Sequence, residues 1–364
     1  MKRLLGLLIA MPLIAWANPN APMVVAESPM ATEVKEAAPP PPKKKAPAPY
    51  TLPFHLRPIA ASNVVRLDNV LGLYDASGDS VKVKTTPGSP AMKGMKEVSI
   101  LNAGYKFATD LGILARIGVA NNFPSTDVAE GVAKPKNGYA LTNGLLFVTY
   151  TPSFVDGDLR TAFYLGVTAP IGSGGGTHGD ATARTVNATS MMVRSAMDNA
   201  LFAVNDVAVI PGVDIAYVKY GLTVQLEATY LEIMRARADT KTSAPAGFYQ
   251  TDVVKRNLVA GLFVGYSIIP QLSAGVEVRY QRWLKPPHAI RDLGNKEHTN
   301  YSEKTQEQYD TRIQNLAVAL GLRGNFKIGE KTFFRPAISY AMGLMGEIGD
   351  QKYHLIQVDL PFAL

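Results

Sequence analysis

The chain has 364 residues, enough for one large domain or two ordinary ones. With 18% charged residues and a mean hydropathy of +0.02, it is too polar for a helical membrane protein. It contains no cysteine, which excludes disulfides, thiolate chemistry and a lipoprotein anchor. The formal charge is +7, but the basic residues are scattered, so nucleic acid is not an expected partner.

The first residues have the pattern of a secretory signal peptide. Lys2 and Arg3 form a positive start, residues 4–14 are apolar, and residues 15–17 are an Ala-Trp-Ala cleavage motif. An uncleaved anchor is the alternative, but the apolar segment is short for a membrane helix. We expect residues 1–17 to be removed on export. No later apolar run reaches the roughly 20 residues of a transmembrane helix, so a membrane-embedded form has to be a barrel.

Residues 18–55 are of low complexity. The stretch "EAAPPPPKKKAPAPYTLP" is dominated by Pro, Ala and Lys, a composition that buries little apolar surface and favours extended polyproline II. We interpret residues 18–55 as a disordered periplasmic tail. A solvated spacer is the simpler interpretation of this tail. The alternative is that Lys43, Lys44 and Lys45 contact an anionic surface such as the cell wall.

Residues 56–364 are predicted to form an all-β domain. In "GLTVQLEATYL" apolar residues such as Leu222, Val224 and Leu226 alternate with polar ones, the period of a strand with one apolar and one polar face. Each segment is about ten residues long, the length of a tilted membrane strand. The twelve strand-like segments are residues 62–74, 96–108, 111–121, 139–150, 158–170, 207–219, 221–233, 254–267, 270–283, 311–325, 332–343 and 352–364.

The lengths of the connections favour a membrane barrel over a soluble sandwich. Strands two and three meet at residues 109–110, and strands eight and nine meet at residues 269–270, whereas most odd-to-even connections are long. Short turns at one end and longer loops at the other are typical of outer-membrane barrels, and a sandwich has no reason to sort its loops. We therefore predict a transmembrane antiparallel up-and-down β-barrel of about 12 strands. An even strand count places the tail and the C-terminus together in the periplasm.

Charged side chains on the polar faces are predicted to line the lumen. A charge on the lipid face costs about 2–4 kcal/mol for Arg or Lys at midplane, so these residues should point inward whatever they do there. They either pair into a salt-bridged interior or line a water-filled path with a weak preference for anions. The predicted lining residues are Arg66, Asp68, Lys106, Arg116, Arg160, Asp214, Glu227, Glu277, Arg279, Arg323, Arg335 and Asp359.

The longest connection, residues 171–206, is the predicted constriction. Twelve strands lie between the filled eight-stranded barrels and the open sixteen-stranded ones, so a narrow or loop-blocked pore is expected. The connection starts with the glycine-rich "GSGGGTHGD" and continues with an apolar segment that can form a short helix. The alternative is that it folds over the outer rim. The residues predicted to constrict the lumen are Met191, Met192, Met197 and Phe202.

Motifs for catalysis, metal or nucleotide binding are weak. The glycines of "GSGGGTHG" lack the Gly-Lys-Ser/Thr and the βαβ context of a phosphate loop. The five histidines show no metal-binding spacing, and we interpret them as surface or loop residues. Glu227 and Glu277 are expected to pair with arginines rather than with each other, and no G-x-S-x-G elbow occurs. We predict no enzyme activity, no metal and no cofactor.

The sequence as a whole resembles Gram-negative outer-membrane β-barrels of the twelve-stranded, porin-like kind. Its last segment, "HLIQVDLPFAL", alternates and carries Phe362 two residues before Leu364, similar to the final strand that the barrel-assembly machinery recognises in that family. The stretch "LGVTAPIGSGGG" looks like a strand-to-loop element of porin-like transporters of the phenol-degradation and fatty-acid uptake groups. The resemblance implies passage of small solutes through the outer membrane.

Two alternatives to a transport function remain from the sequence. One is a non-transporting structural or surface barrel whose lumen is closed by its own salt bridges. The other is an outer-membrane hydrolase, because the phospholipases of that membrane are also twelve-stranded. Their His-x-Ser-Asn-Gly motif is absent from this chain.

Overall fold

The computed structural model describes residues 50–59, 62–75, 93–125, 137–238, 253–291, 295–296 and 301–364. The predicted signal peptide and most of the predicted tail, including Lys43, Lys44 and Lys45, lie outside these residues. The described body is a closed antiparallel β-barrel of twelve strands. The strands are β1 (Val64–Asp75), β2 (Lys93–Lys106), β3 (Leu111–Pro124), β4 (Gly138–Leu141 and Gly144–Tyr150), β5 (Leu159–Ala169), β6 (Asp206–Lys219), β7 (Leu222–Arg235), β8 (Val254–Ile269), β9 (Leu272–Lys285), β10 (Gln314–Gly324), β11 (Ala337–Gly346) and β12 (His354–Ala363).

Each strand pairs with its sequence neighbours, and β1 also pairs with β12, from Val64 opposite Ala363 to Leu73 opposite His354. This closure removes the free sheet edges that would otherwise pair with other chains. The predicted last strand is the one that closes the barrel, with Phe362 and Leu364 exposed beside its end. Its recognition by the assembly machinery stays a prediction.

The twelve predicted segments are confirmed as the barrel strands. The largest error is at the start of β11, which begins at Ala337 instead of residue 332. Phe333–Phe334 form a separate short strand that pairs with β12, and Pro336 stands between this pair and β11. Proline lacks the N–H that a continuous strand would donate, which explains the break.

Most connections sort by length as predicted, but residues 347–353 at one end are fewer than residues 151–158 or 325–336 at the other. At one end of the barrel, here called the turn end, they are residues 107–110, 151–158, 220–221, 270–271 and 325–336. At the other, the loop end, they are residues 76–92, 125–137, 170–205, 236–253, 286–313 and 347–353. Tyr220 and Gly221 both have positive φ, at 53° and 82°, which fits the two-residue hairpin turn favoured by strand twist.

The α-helices of the described part lie in loop-end connections. Asp180 caps α1 by accepting hydrogen bonds from Thr182 N and Ala183 N, and Ser302 caps α4 through Thr305 N. Among the described residues, we find no helix with the length and apolar character that crossing a membrane requires. The helices are α1 (Ala181–Ser190), α2 (Asn199–Phe202), α3 (His288–Arg291), α4 (Glu303–Ile313) and α5 (Glu347–Asp350).

The outward faces of the strands form a continuous apolar belt. Leu226, Val264, Val276 and Leu320 are all outward and exposed, as the alternation predicts. A belt of this extent is stable when acyl chains, rather than water, solvate it. Exposed aromatic side chains gather at the turn end, the girdle expected at a membrane interface. They are Tyr105, Phe107, Tyr150, Phe154, Phe163, Tyr217, Tyr220, Tyr266, Phe326 and Phe362.

The predicted boundary between tail and barrel at residue 55 is wrong. Thr51, Phe54 and His55 are buried inside the barrel, together with Leu56. The ring of Phe54 packs edge-on against Phe263 of β8, with 5.9 Å between the ring centroids. The sequence interpretation failed because the apolar stretch "YTLPFHL" was grouped with the Pro- and Lys-rich residues before it.

Candidate functional site

Two chain segments fill the lumen of the barrel. We call residues 50–59 the N-terminal insert and residues 170–205 the loop insert. In the loop insert Val193, Arg194 and Leu201 are fully buried. The predicted constriction residues lie in this insert, where Met192, Met197 and Phe202 are buried and Met191 is half-buried. The loop insert therefore enters the lumen instead of folding over the rim.

The backbone of the loop insert reverses direction inside the barrel. A 3₁₀ turn, Met191–Arg194, follows α1 directly. Ser195 and Ala196 then adopt the left-handed conformation, with φ of 53° and 56°. Residues other than glycine adopt this backbone conformation mainly where the surrounding structure fixes it. The reversal brings Arg194 and Asp198 side by side in the centre of the lumen.

Asp198 joins the loop insert to the barrel wall. Arg116 of β3 donates two parallel hydrogen bonds to its carboxylate, at 2.8 and 2.9 Å, the strongest geometry for such a pair. Arg194 lies 3.0 Å from the same carboxylate and also donates to Asp68 of β1 at 2.8 Å. Burial alone would raise the pKa of Asp198, but the guanidiniums of Arg116 and Arg194 hold it well below its usual range. This contact therefore stays ionised at physiological pH.

Glu277 of β9 holds the backbone of the N-terminal insert. Its Oε2 accepts the N–H groups of Phe54 at 2.8 Å, His55 at 3.1 Å and Leu56 at 3.5 Å. A carboxylate that accepts consecutive backbone N–H groups replaces the water these groups would bind outside the barrel. Glu277, which was predicted to line a solute path, thus binds the backbone of the N-terminal insert in this conformation.

Arg57 fixes the other half of the N-terminal insert. Its guanidinium pairs with Glu227 of β7 and donates to Thr229 Oγ1 at 3.0 Å. The same group lies over the rings of Phe147 and Tyr164, 5.1 and 5.0 Å from their centroids. The combination of an ion pair, a hydrogen bond and two cation–π contacts holds this side chain from several sides.

Arginines of β10 and β1 bind carbonyl groups of the same insert. Arg323 donates to Asp359 at 2.7 Å and to the carbonyl of Pro53 at 2.9 Å. Arg66 donates to Asp359 and to the carbonyl of Phe54, both at 2.6 Å. Acidic side chains therefore bind the N–H groups of residues 54–57, and basic ones bind the carbonyl groups of residues 52–54.

Ten of the predicted lining residues lie on the inward faces of strands, and Lys106 and Arg335 differ in position, Arg335 lying in the connection before β11. Lys106 is in phase with the inward residues of β2 but is exposed at the turn end, where the strand stops. Neither carboxylate oxygen of Asp214 has a hydrogen-bond partner among the described residues, and Asp214 lies opposite Glu227 in the strand register. Arg66, Arg160 and Arg335 are half-buried. The buried residues are Asp68, Arg116, Asp214, Glu227, Glu277, Arg279, Arg323 and Asp359.

Sequence reasoning missed the insert residues that contact the wall. His55 was interpreted as a surface or loop histidine, and this is wrong because it is buried 3.5 Å from Asp198. Burial, followed by the nearby Arg194 and Arg279, lowers the pKa of His55 to about 3. The signal that could have found Arg194 and Asp198 is a pair of opposite charges, four residues apart, within an apolar segment.

Lys96 adds a second attachment for the loop insert. Its Nζ donates to the Tyr353 hydroxyl at 2.9 Å and to the carbonyl of Thr189, near the end of α1, at 3.1 Å. The ammonium also lies 4.5 Å from the centroid of the Tyr74 ring. Thus β2 holds α1, while β1 and β3 hold the turn that follows it.

No family model matches this chain, and no curated protein matches it either. An outer-membrane channel from Pseudomonas putida F1 aligns with a TM-score of 0.50 at 9% identity, covering 86% of this chain and 100% of that one. The NanC porin gives 0.42 at 9% identity, covering 82% and 100%. A FadL homologue from Pseudomonas aeruginosa gives 0.34 at 9% identity, covering 83% and 89%. The first likeness confirms the resemblance to outer-membrane barrels at the level of the fold.

Proposed function

We propose that the protein is an outer-membrane channel for small solutes, and that the two inserts hold it closed in the described conformation. The observation that carries this proposal is that charged side chains of the wall bind the two inserts. Glu227 and Glu277 bind the N-terminal insert, while Asp68 and Arg116 bind the loop insert. When the inserts leave, these groups line a polar path through the barrel.

The charges of the predicted lining residues indicate the ion selectivity of such a path. Positive groups slightly outnumber negative ones among the predicted lining residues, and both signs are spread around the wall. Mixed charge does not exclude either sign, so the open path should be only weakly selective and should favour anions. The fold shared with the Pseudomonas putida channel supports a transport role.

We further propose that the turn end faces the periplasm of a Gram-negative cell. The first residue of β1, Val64, and the last residue of β12, Ala363, both lie at the turn end. A predicted signal peptide followed by a Pro- and Lys-rich tail fits export with the tail left on that side. In this orientation Lys43, Lys44 and Lys45 are placed to contact the cell wall.

The second candidate function is a structural barrel that does not transport. The observation that favours it is the presence of pairs within the wall, such as Arg279 with Glu277 at 2.6 Å and Arg66 with Asp359 at 2.6 Å. An enzyme is a weaker candidate, because Glu227 and Glu277 are each engaged with an arginine and not with each other. Detergent-purified protein is accordingly expected to leave phospholipids intact in a hydrolysis assay.

Recording single channels in planar bilayers tests the transport proposal. We expect the full chain to show infrequent, discrete openings whose size increases with salt concentration and whose reversal potential indicates a weak preference for anions. Heat-modifiable migration on a gel serves as the control that the barrel is folded. Folded protein that stays silent, both as the full chain and without its inserts, would support the structural alternative.

A further inference from the structure

The guanidinium of Arg57 lies in a cage that four neighbouring strands of the wall provide. Two aromatic rings and two carboxylates form this cage, all of them on buried side chains. The rings belong to Phe147 of β4 and Tyr164 of β5. The carboxylates belong to Asp214 of β6 and Glu227 of β7, which lie opposite each other in the strand register. We call these four wall side chains the cation cage.

The two rings of the cage form a corner around the guanidinium. Their planes are at 89° to each other, with 5.7 Å between the ring centroids. Phe147 lies over Gly166, directly opposite it on β5, and Tyr164 lies over Gly212, directly opposite it on β6. A Cβ added at Gly166 or Gly212 would come within 2.3 or 2.2 Å of a ring carbon, so a side chain there would displace the ring. The two glycines therefore leave room for rings whose faces attract a cation.

The docked Arg57 uses only one of the two carboxylates. Glu227 pairs with its guanidinium, and Glu227 Oε2 also accepts its backbone N–H at 2.7 Å. Asp214 is close enough to attract the same guanidinium, but it makes no ion pair with any described residue, and neither of its oxygens is hydrogen-bonded. A buried carboxylate without a partner costs free energy. A site built only to hold Arg57 explains Glu227 but gives Asp214 no role.

The cation cage belongs to the wall and stays there when the N-terminal insert leaves. Asp214 is the ninth of the 14 residues of β6 and Glu227 is the sixth of the 14 residues of β7, so the cage lies near the middle of the barrel. No wall cation within the described ranges forms an ion pair with either carboxylate. Departure of Arg57 therefore leaves two adjacent carboxylates and two aromatic rings beside the path, without a counter-charge.

We propose that the cation cage binds an organic solute that carries a guanidinium group and a second cationic group. The guanidinium takes the place of Arg57, paired with Glu227 and over both rings, and the second group pairs with Asp214. This proposal rests on the proposed function, because solutes reach the cage only after the N-terminal insert leaves. The weak preference for anions comes from the sum of the wall charges, whereas the cage acts on an organic cation at one point.

Arg57→Ala empties the cage in the full chain and allows a direct binding test. Agmatine, which carries a guanidinium and a primary amine, is the probe, and N-butylguanidine is the control that lacks the amine. One well-made pair of charges is enough for about a tenfold difference in affinity. Calorimetric titration of the detergent-purified protein should therefore show agmatine binding to Arg57→Ala about tenfold more tightly than to wild type, and about tenfold more tightly than N-butylguanidine.

Second substitutions in the Arg57→Ala chain show whether the probe binds in the cage. Glu227→Gln should weaken the binding of both compounds by about tenfold, since it removes the partner of the guanidinium. Asp214→Asn should abolish the preference for agmatine, and Glu307→Gln, an exposed change on α4, should alter neither affinity. Heat-modifiable migration verifies that each variant still folds. Equal affinity of wild type and Arg57→Ala for agmatine, or a preference that survives Asp214→Asn, would overturn the proposal.

The binding test gives a result that does not depend on conduction. Agmatine binding by Arg57→Ala, in a protein that stays silent in bilayers with and without its inserts, would support the cation cage and refute the transport proposal. Channel openings in a protein whose Arg57→Ala variant does not bind agmatine would refute the cation cage and leave the transport proposal standing.

Discussion

Deletion of residues 175–200 is expected to increase the unit conductance of the barrel at least several-fold. This segment contains the α1 helix, the reversal at Ser195 and the carboxylate of Asp198 that binds Arg116. Its removal takes most side chains of the loop insert out of the lumen, while the N-terminal insert and every barrel strand stay in place. Single-channel recordings in planar bilayers, with wild type and variant at equal salt, give the measurement.

A matched deletion in another loop-end connection controls for a general loosening of the barrel. Removing residues 303–310 deletes most of α4, a helix at the same end of the barrel with no buried residues. This control should conduct like wild type. An unchanged conductance after deletion of residues 175–200, in protein that still shows heat-modifiable migration, would refute the assignment of this loop as a plug.

Glu277→Ala is expected to release the N-terminal insert from the lumen. The substitution removes the acceptor for the N–H groups of Phe54 and His55, which only the docked insert uses. Each buried group left unpaired costs about 1–3 kcal/mol, so the docked state should lose several kcal/mol relative to an undocked one. Chymotrypsin cleavage after Phe54 should accelerate by at least tenfold, because the ring leaves its contact with Phe263.

Two further variants make this result interpretable. Glu307→Ala removes an exposed carboxylate on α4 and should leave the rate of cleavage unchanged. A chain that lacks residues 18–59 but keeps Glu277 should reproduce the conductance of Glu277→Ala without altering the wall. If cleavage after Phe54 is equally slow in Glu277→Ala and wild type, the insert is held by contacts other than this carboxylate.

The strands could be predicted from the sequence because their pattern is a direct result of their surroundings. Leu222, Val224 and Leu226 alternate with polar residues because lipid lies on one side of β7 and the polar lumen on the other. The same alternation fixed the inward direction of Arg116 and Glu277 without any knowledge of their partners. It failed at the start of β11, where Pro336 interrupts the backbone pairing that alternation alone does not report.

The partners of the inward charges could not be predicted, because they come from segments distant in the chain. Glu277 binds the backbone of Phe54, and no pattern of side chains records a bond to a backbone N–H group. The short apolar stretch around Phe54 was also hidden beside a long Pro- and Lys-rich segment of opposite character. The pair of Arg194 and Asp198 was visible as a pattern, but its contact with Arg116 depends on how the loop reverses inside the barrel.

The two inserts are the central claim, and reversible disulfides that hold both in place test it most directly. A Cβ added at Gly72 would lie 3.1 Å from Val193 Cγ2, and one added at Gly261 would lie 3.1 Å from Leu56 Cγ, distances compatible with Cys pairs at 72/193 and 56/261. With no native cysteine present, the variant carrying both pairs can be recorded before and after a reductant is added to the same bilayer. We predict silence in the oxidised state and channel openings after reduction. Equal conductance in both states would show that ions pass without any movement of the inserts, and it would contradict the account.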